Sequence, residues 1–488
     1  MRRQRSVRVL TLVAGVVLAM GSPPVAGASA DTVTVTARNF AYEPTPTTMN
    51  SGDTLAFTNA DAAPHDVVSR DAAPDGTPLF SSPVLTNGQT APVQGAEKLP
   101  PGNYPFYCSI HAQMAGLLAV GVAVPSDPLP AVPDALTVAS VPTPTSIDAH
   151  DGQLYVASYA AGAVFRLPLL AGGVPGPATA HVTGLTSPLG VVVADDGTTF
   201  VADSHPAATP GRTTAGRVWA VPPGGGEVGE VGQIVVDELP NGRHNTNNLA
   251  ISDGRLFITN GNSTDDGVAG GEPEQPLSGT LLSVPLEVRD VVVGSPSESQ
   301  IRVEAVGMRN TYDVAFRPGT TEAWMPMNGL DAQDPWGEDL LLKADVAVPE
   351  PPEPAPAPED FGFPGCVYAA GMTPAYRQNG STAVTDVCDG SQVLPEQLMG
   401  LHTSADGLAF GPQDDYWDGD LFVALFGNFF GDEVVGHRIV RVPIDESGIS
   451  SPPEDLVALP APLDVAFWGS DMYVADFSAG VLLIKPGL

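Results

Sequence analysis

Between residues 143 and 488 the chain repeats one device six times: a short apolar run, a tight turn, then a second apolar run ending in small or polar residues. The copies are "SIDAHDGQLYVAS", "LGVVVADDGTTFVAD", "NLAISDGRLFITN", "DVAFRPGTTEAWMP", "GLAFGPQDDYWDGDLFVAL" and "DVAFWGSDMYVAD". Apolar runs of this length separated by Asp, Gly and Pro are antiparallel strand pairs. A third run often follows, as in "GRVWAVPP", "GTLLSVPL" and "HRIVRVPI". Stacked sandwiches would not repeat one strand-turn-strand signature, whereas the blades of a propeller must. The repeat therefore predicts a six-bladed β-propeller over 143–488. The acidic, Pro-rich "VAVPEPPEPAPAPED" (346–360) is expected to be a solvated loop between blades.

Residues 31–125 carry a different pattern, with alternating runs such as "TVTVTARNF", "DTLAFTNAD", "HDVVS" and "LLAVGVAV". Their spacing is that of a β-sandwich. A Pro-rich passage, 126–142, reads as a semi-rigid linker. With 53 Gly and 50 Pro among 488 residues, the composition suits a turn-rich, folded, all-β chain of more than one domain. The first thirty residues have an Arg-rich front, an apolar middle and an Ala28-Ser29-Ala30 end, the pattern of a secretory signal cut before Asp31. Its removal takes Arg2, Arg3, Arg5 and Arg8 and no acid, so the net charge moves from −35 to −39. Such a surface disfavours nucleic acid and anionic lipid. The apolar run is short for a membrane span and no later segment could cross a bilayer. A secreted or periplasmic protein is expected.

"YPFYCSIHAQM" places Cys108, His111 and Met114 within seven positions, just before the strand "GLLAVGVAV". Upstream, "FTNADAAPHDVVS" offers His65 at the start of another strand. One thiolate, two imidazoles and a thioether are the ligand set of a blue copper electron-transfer site. Thiolate and thioether suit Cu(I), and the imidazoles suit both oxidation states. An exported free thiol with no such role would be an oxidation liability.

On these residues the segment 31–125 resembles a cupredoxin of the amicyanin or plastocyanin kind. The resemblance implies a Greek-key β-sandwich, one copper ion, and no catalysis by this domain alone. Asp66 stands after the first histidine, where relatives often carry Asn. The chain has no His-x-His pair and no His-Cys-His, which excludes a laccase-like trinuclear cluster. Cys366 and Cys388, the remaining cysteines, are expected to form a disulfide.

Within the repeats, "GRHNTNNLAISDGRLFITNGNS", "GMRNTYDVAF", "WMPMNGLDAQDPWGEDLL", "DFGFPGC" and "LHTSADGLAF" occur in that order. They resemble the sorbosone and glucose dehydrogenase family, propellers that bind pyrroloquinoline quinone (PQQ). The resemblance implies that His244 is the proton-abstracting base and that Arg309-Asn310 is the family's Arg-Asn. It also places Asp331 in an Asn-Gly-x-Asp pattern and His402 at the family's later histidine. Arg309 could hold a cofactor carboxylate, and Asp331 is available to calcium. A neutral histidine suits the base, and a quinone would supply the electron sink no side chain offers. Four positions depart from the family: Asn247 replaces an arginine, Asp313 replaces a glycine, and Phe426 and Phe429 replace polar or basic contacts. Only 21 Lys and Arg are available to countercharge a tri-anionic quinone. His150, His181, His205 and His437 read as structural, and Asn262-Ser263-Thr264 as turn chemistry.

Two functions follow as expectations. In one, the propeller oxidises a sugar or alcohol and passes electrons to the tethered copper, which the linker keeps at high local concentration. In the other, the propeller is a binding or docking platform, and the copper domain shuttles electrons to a redox partner or respiratory acceptor. Copper storage fits less well, since a rigid thiolate-imidazole site suits electron transfer rather than ion exchange.

Overall fold

The computed structural model describes residues 31–38, 41–43, 47–69, 77–100, 102–110, 115–120, 135–209, 212–265, 267–269, 272–331, 338–346, 357–369, 373–376, 378–379, 382–383, 392–413, 416–428, 434–445 and 448–485. The expected signal sequence, His111, Met114, Cys388 and Phe429 lie outside these residues. Among the described residues no helix is long and apolar enough to cross a membrane.

Strand alternation in the first domain sets one face inward. In Thr54–Asn59, Leu55, Phe57 and Asn59 are buried, while Thr54 is exposed. This strand pairs parallel with Thr32–Arg38 and antiparallel with Thr90–Val93, and Ala41–Glu43 completes the first sheet. The second sheet runs Thr47–Met49, Ala115–Val120, Gly102–Tyr107, Val68–Ser69. Between the two sheets lie Val35, Leu55, Phe57, Phe80, Phe106 and Leu118. Tyr42 meets Phe106 edge-on at 4.8 Å. This is the expected β-sandwich.

The six repeats form six separate sheets whose first strands pack side by side in a ring. Those first strands are Pro144–His150, Gly190–Val193, Thr246–Ser252, Ala315–Phe316, Ala405–Phe410 and Pro462–Trp468, blades 1 to 6 in order. The 126–142 linker is corrected at its C-terminal part. Ala135–Ala139 is a strand, pairing antiparallel with Gly480–Ile484 as the outer strand of blade 6. A ring of blades needs a closing contact between its chain ends, and the extended run "ALTVA" supplies it. The 346–360 loop is also not wholly irregular, because Glu359–Asp360 pairs parallel with Arg302–Val306.

Adjacent blades are joined at the centre by a recurring aspartate clamp. Asp464 of blade 6 accepts from the N–H of Ile147 at 2.9 Å, Asp148 of blade 1 from Val193 at 2.7 Å, and Asp313 of blade 4 from Leu408 at 3.0 Å. Each also accepts from the N–H of the residue that follows it, at 2.8 Å. Asp313, which departs from a family glycine, thus joins two blades rather than standing in a site.

These carboxyls sit where water cannot solvate a charge. Burial pushes Asp148, Asp313 and Asp406 up, the last two well above the ordinary carboxyl range, and raises Asp464 and Asp339 to about 6. The folded protein therefore keeps protons that the unfolded chain releases near pH ~4. Stability from these groups is complete below that pH and is lost as pH rises through about 6. Asp237, Glu274 and Asp331 act oppositely, since their partners hold them low and their contribution is lost on acidification. Melting temperature is expected to peak near pH ~5 and to fall by several degrees at pH ~8. A plateau through pH ~8 in a differential scanning series would contradict this assignment of the buried acids.

Candidate functional site

Tyr107 pairs with Ala115, and Cys108 directly follows the first of these two paired strands. In the sequence, His111 and Met114 follow Cys108 within six positions. Cys108 is fully buried within the sandwich core. His65, also fully buried, is fixed by paired backbone bonds with Leu85 at 2.7 and 3.0 Å. Its Nδ1 lies 3.7 Å from Cys108 Sγ, while its Nε2 is 3.1 Å from Asp61 Oδ2. Burial pulls the His65 imidazole down, but Asp61 and Cys108 outweigh it and raise it to about 9.

This geometry fits a metal ion. Bonds of roughly 2.0 Å to nitrogen and 2.3 Å to sulfur together exceed the 3.7 Å separation, so one ion can touch both atoms without either moving. The Asp61 carboxylate binds the far ring nitrogen, as the outer partners of metal-ligating histidines do, and leaves Nδ1 for the ion. Asp66 ties the two ligand segments together: it accepts from Ser109 N–H at 2.7 Å and from Ser109 Oγ at 2.5 Å. Its carbonyl accepts from Tyr42 Oη.

The second site lies at the end of the propeller where the innermost strands begin. His244, Arg309 and His402 precede such strands, while Asn262 and Asp331 follow second strands. Arg309 is 1% exposed and its donors are heavily committed. Nε donates to Asp265 O at 2.9 Å, and NH2 donates to Asp331 Oδ1 at 2.6 Å and to Asp265 Oδ1. Arg243, more exposed, also donates to Asp331. Burial opposes the Arg309 charge, but the two aspartates outweigh it and hold it protonated. Against its own burial, Arg309 and Arg243 keep Asp331 well below the usual carboxylate range.

His244 sits beside this ion-pair group, with Nδ1 2.6 Å from Asn262 Oδ1. Burial, reinforced by Arg309 and opposed by Asp331, lowers its imidazole to about 3. It is a neutral histidine throughout the physiological range. Gly261 makes the close packing possible, since a Cβ there would lie 2.6 Å from His244 Cβ and 2.9 Å from Asn310 Oδ1.

Asn310 belongs to an adjoining amide ladder across blades 3 to 5. Asn247 Nδ2 donates to Asn310 Oδ1 at 2.9 Å, and Asn310 Nδ2 donates to Asn328 Oδ1 at 2.8 Å. Asn328 in turn donates to Ala405 O at 2.8 Å. Asn247, standing for a family arginine, is therefore an interior structural amide. His402 lies towards blade 5, where it and Arg309 both act on the buried Asp339. Phe426 stands edge-on to Phe477, at 6.0 Å.

The structure thus gathers His244, Arg309 and Asp331, sets Asn310 beside them and leaves His402 on the blade 5 flank. Arg243, Asp265 and Glu274 belong to the same cluster of contacts and carry no signal in the sequence, and Asn262 is more than the turn residue its neighbours suggest. Arg309, expected to grip a cofactor carboxylate, is instead occupied by Asp265 and Asp331. Among the described residues, His205, Asp237 and Glu238 also bring potential ligand atoms together. Arg217 donates twice to Asp237, and Ala208 and Thr209 fill Glu238, so those oxygens are already bonded. Cys366 is buried.

Fold and site together define a cupredoxin-type sandwich joined to a six-bladed propeller. A family described as cupredoxin-like domain matches residues 11–120. The chain is 34% identical over 122 residues to a plastocyanin of Prochlorothrix hollandica, covering 23% of this chain and 87% of that protein. A plastocyanin of Synechococcus sp. (strain JA-2-3B'a(2-13)) is 36% identical over 86 residues, 16% of this chain and 62% of that protein. By its N-terminal domain, the chain belongs to the cupredoxin family. The remainder is similar in fold to the holo form of the pyranose dehydrogenase PQQ domain from Coprinopsis cinerea. That match has a TM-score of 0.57 and 18% identity, over 72% of this chain and 95% of that one.

Proposed function

We propose that this is an exported copper electron-transfer protein whose propeller oxidises a sugar or other alcohol and passes the electrons to its own cupredoxin domain. The observation that carries the reading is a neutral, hydrogen-bonded histidine at the end of a dehydrogenase-type propeller where the innermost strands begin, in one chain with a cupredoxin. In the sandwich, His65 and Cys108, with His111 and Met114, would hold copper, which supplies one-electron acceptance and release. Asp61 and Asp66 keep His65 and the Cys108 loop in place, so little rearrangement accompanies a change of charge. In the propeller, His244 takes the proton of a substrate hydroxyl.

The two electrons of an alcohol need a carrier between His244 and the copper domain. PQQ, after which the Coprinopsis domain is named, is the candidate, but the described residues fit it poorly. Arg243 and Arg309 are matched by Asp265 and Asp331, so a tri-anionic quinone meets no net positive charge. The same pairing occupies the acids that calcium would need.

The chain enters the propeller at Ala135, paired with Ile484 at the end opposite His244. A strand of six or seven residues is ~23 Å long. The fourteen residues 121–134 can extend to ~50 Å, so the tether is long enough to pass the rim.

Anaerobic mixing of copper(II)-loaded protein with a panel of sugars, with and without added PQQ and calcium, should bleach the copper; bleaching that requires PQQ would show that the quinone displaces the Asp265 and Asp331 carboxylates from Arg309. His244→Asn should slow the bleaching by ~10²-fold or more while leaving the copper spectrum unchanged. If no sugar bleaches the copper, the enzymatic reading fails. The charge balance around Arg309 then favours the second reading, a docking platform beside a one-electron shuttle, which predicts normal copper loading and no quinone binding. We also propose that Cys366 pairs with Cys388, which non-reducing peptide mapping checks, and that the exported chain begins at Asp31.

A further inference from the structure

The turn "GNST" after the second strand of blade 3 does more than reverse the chain. Its donors converge on one carboxylate, Glu274. Glu274 accepts from Asn262 Nδ2 at 3.0 Å, Ser263 N–H at 2.7 Å, Ser263 Oγ at 2.8 Å and Thr264 N–H at 3.1 Å. Thr264 Oγ1 and Ser278 Oγ complete the set. Burial works against the charge, but these donors outweigh it and hold Glu274 below its ordinary value, as a carboxylate.

A carboxylate only accepts. The Asn262 amide group bonded to it must therefore be the NH₂, and the same NH₂ also donates to Thr264 O, a second acceptor-only oxygen, at 2.5 Å. Asn262 is fully buried, and turning its amide over would set its oxygen against those two oxygens. Asn262 Oδ1 is thereby directed at His244 Nδ1, 2.6 Å away, and an oxygen there can only accept.

We infer that Glu274, acting through Asn262, fixes His244 as the tautomer protonated at Nδ1, leaving Nε2 as the basic nitrogen. Both are positioning residues for the base, so the inference rests on the reading of His244 as proton acceptor. Two backbone bonds hold the loops together: His244 N–H donates to Asn262 O at 3.1 Å, and Arg243 N–H to Ser263 O at 2.8 Å. Gly242 allows this approach, as a Cβ there would lie 2.3 Å from Ser263 O. The partner of Nδ1 is a neutral amide, so it orients the ring without adding the charge that would raise its proton affinity. A carboxylate set directly against Nδ1 would do both.

The test is long-range ¹H–¹⁵N NMR of the full chain, with ¹⁵N-labelled histidine and copper(I) in place. His244 should show a protonated Nδ1, a bare Nε2 and no titration down to about pH 5. Asn262→Ala removes one hydrogen bond of ~1 kcal/mol and should shift the tautomer ratio about five-fold. Glu274→Gln, whose own amide lets Asn262 turn over, should move the ratio in the same direction. The inference is overturned if wild-type His244 carries its proton on Nε2, or if Asn262→Ala and Glu274→Gln leave the ratio unchanged. The spectra need no substrate, so their failure is separate from a failure of sugar oxidation.

Discussion

Cys108→Ser is expected to abolish the visible absorption of the copper-loaded protein while leaving the sandwich folded. The blue colour belongs to a copper–thiolate bond, and a serine hydroxyl at neutral pH is neither thiolate nor soft. The site would keep His65, whose Asp61 and Leu85 bonds do not involve the sulfur. Copper affinity should fall sharply, and any bound ion should give the spectrum of an ordinary nitrogen- and oxygen-ligated site. The cost to the fold is limited to exchanging one buried sulfur for a hydroxyl, ~1–3 kcal/mol if that hydroxyl finds no partner. Absorption spectra and far-ultraviolet circular dichroism on matched samples separate the two effects. An unchanged visible band would remove Cys108 from the site and leave the electron-transfer reading without support.

Arg309→Met should destabilise the propeller by ~3 kcal/mol, the low end of what removing one partner from a buried ion pair costs. The low end applies because Asp265 and Asp331 keep 33% and 18% of their side-chain exposure and can recover some hydration. Methionine fills much of the arginine's volume, so the loss is electrostatic rather than a cavity. Lysine should not rescue fully, because one ammonium cannot serve Asp265, Asp331 and a backbone carbonyl in the arginine's planar geometry. All five tryptophans lie at or beyond residue 219, so tryptophan fluorescence during denaturation reports the propeller without the sandwich. A variant that unfolds with the wild-type midpoint would mean that Arg309 is not a structural member of the ring, reviving its expected role in gripping a cofactor.

The candidate copper ligands could be picked out in the sequence because copper limits the residue types so strongly. A thiolate, a thioether and an imidazole on seven residues before a strand have few other uses, and the structure sets His65, the candidate from an upstream strand, beside Cys108. The blades were legible because each must repeat the same strand-turn-strand unit. Other residues carried no such signal. Glu274 stands ten residues beyond Thr264, outside any periodic run, and only folding brings it under the turn. Asn262 has the composition of an ordinary turn and also behaves as one. Asp313 looked like a change at a cofactor site and proved to be a clamp between blades, because its partner is a backbone N–H almost a hundred residues away.

Local chemistry written into the sequence determined which segments become strands, how many blades there are, and which side chains can ligate a soft metal. Such properties depend on residue type and short spacing, and they survive without knowledge of distant neighbours. The tertiary structure decided whom each charge meets: that Arg309 faces Asp265 and Asp331, that an apparent linker closes the ring at Ala135–Ala139, and that His244 is neutral. The physical reason is that burial and pairing energies depend on distance in space, which the order of residues along a chain does not specify.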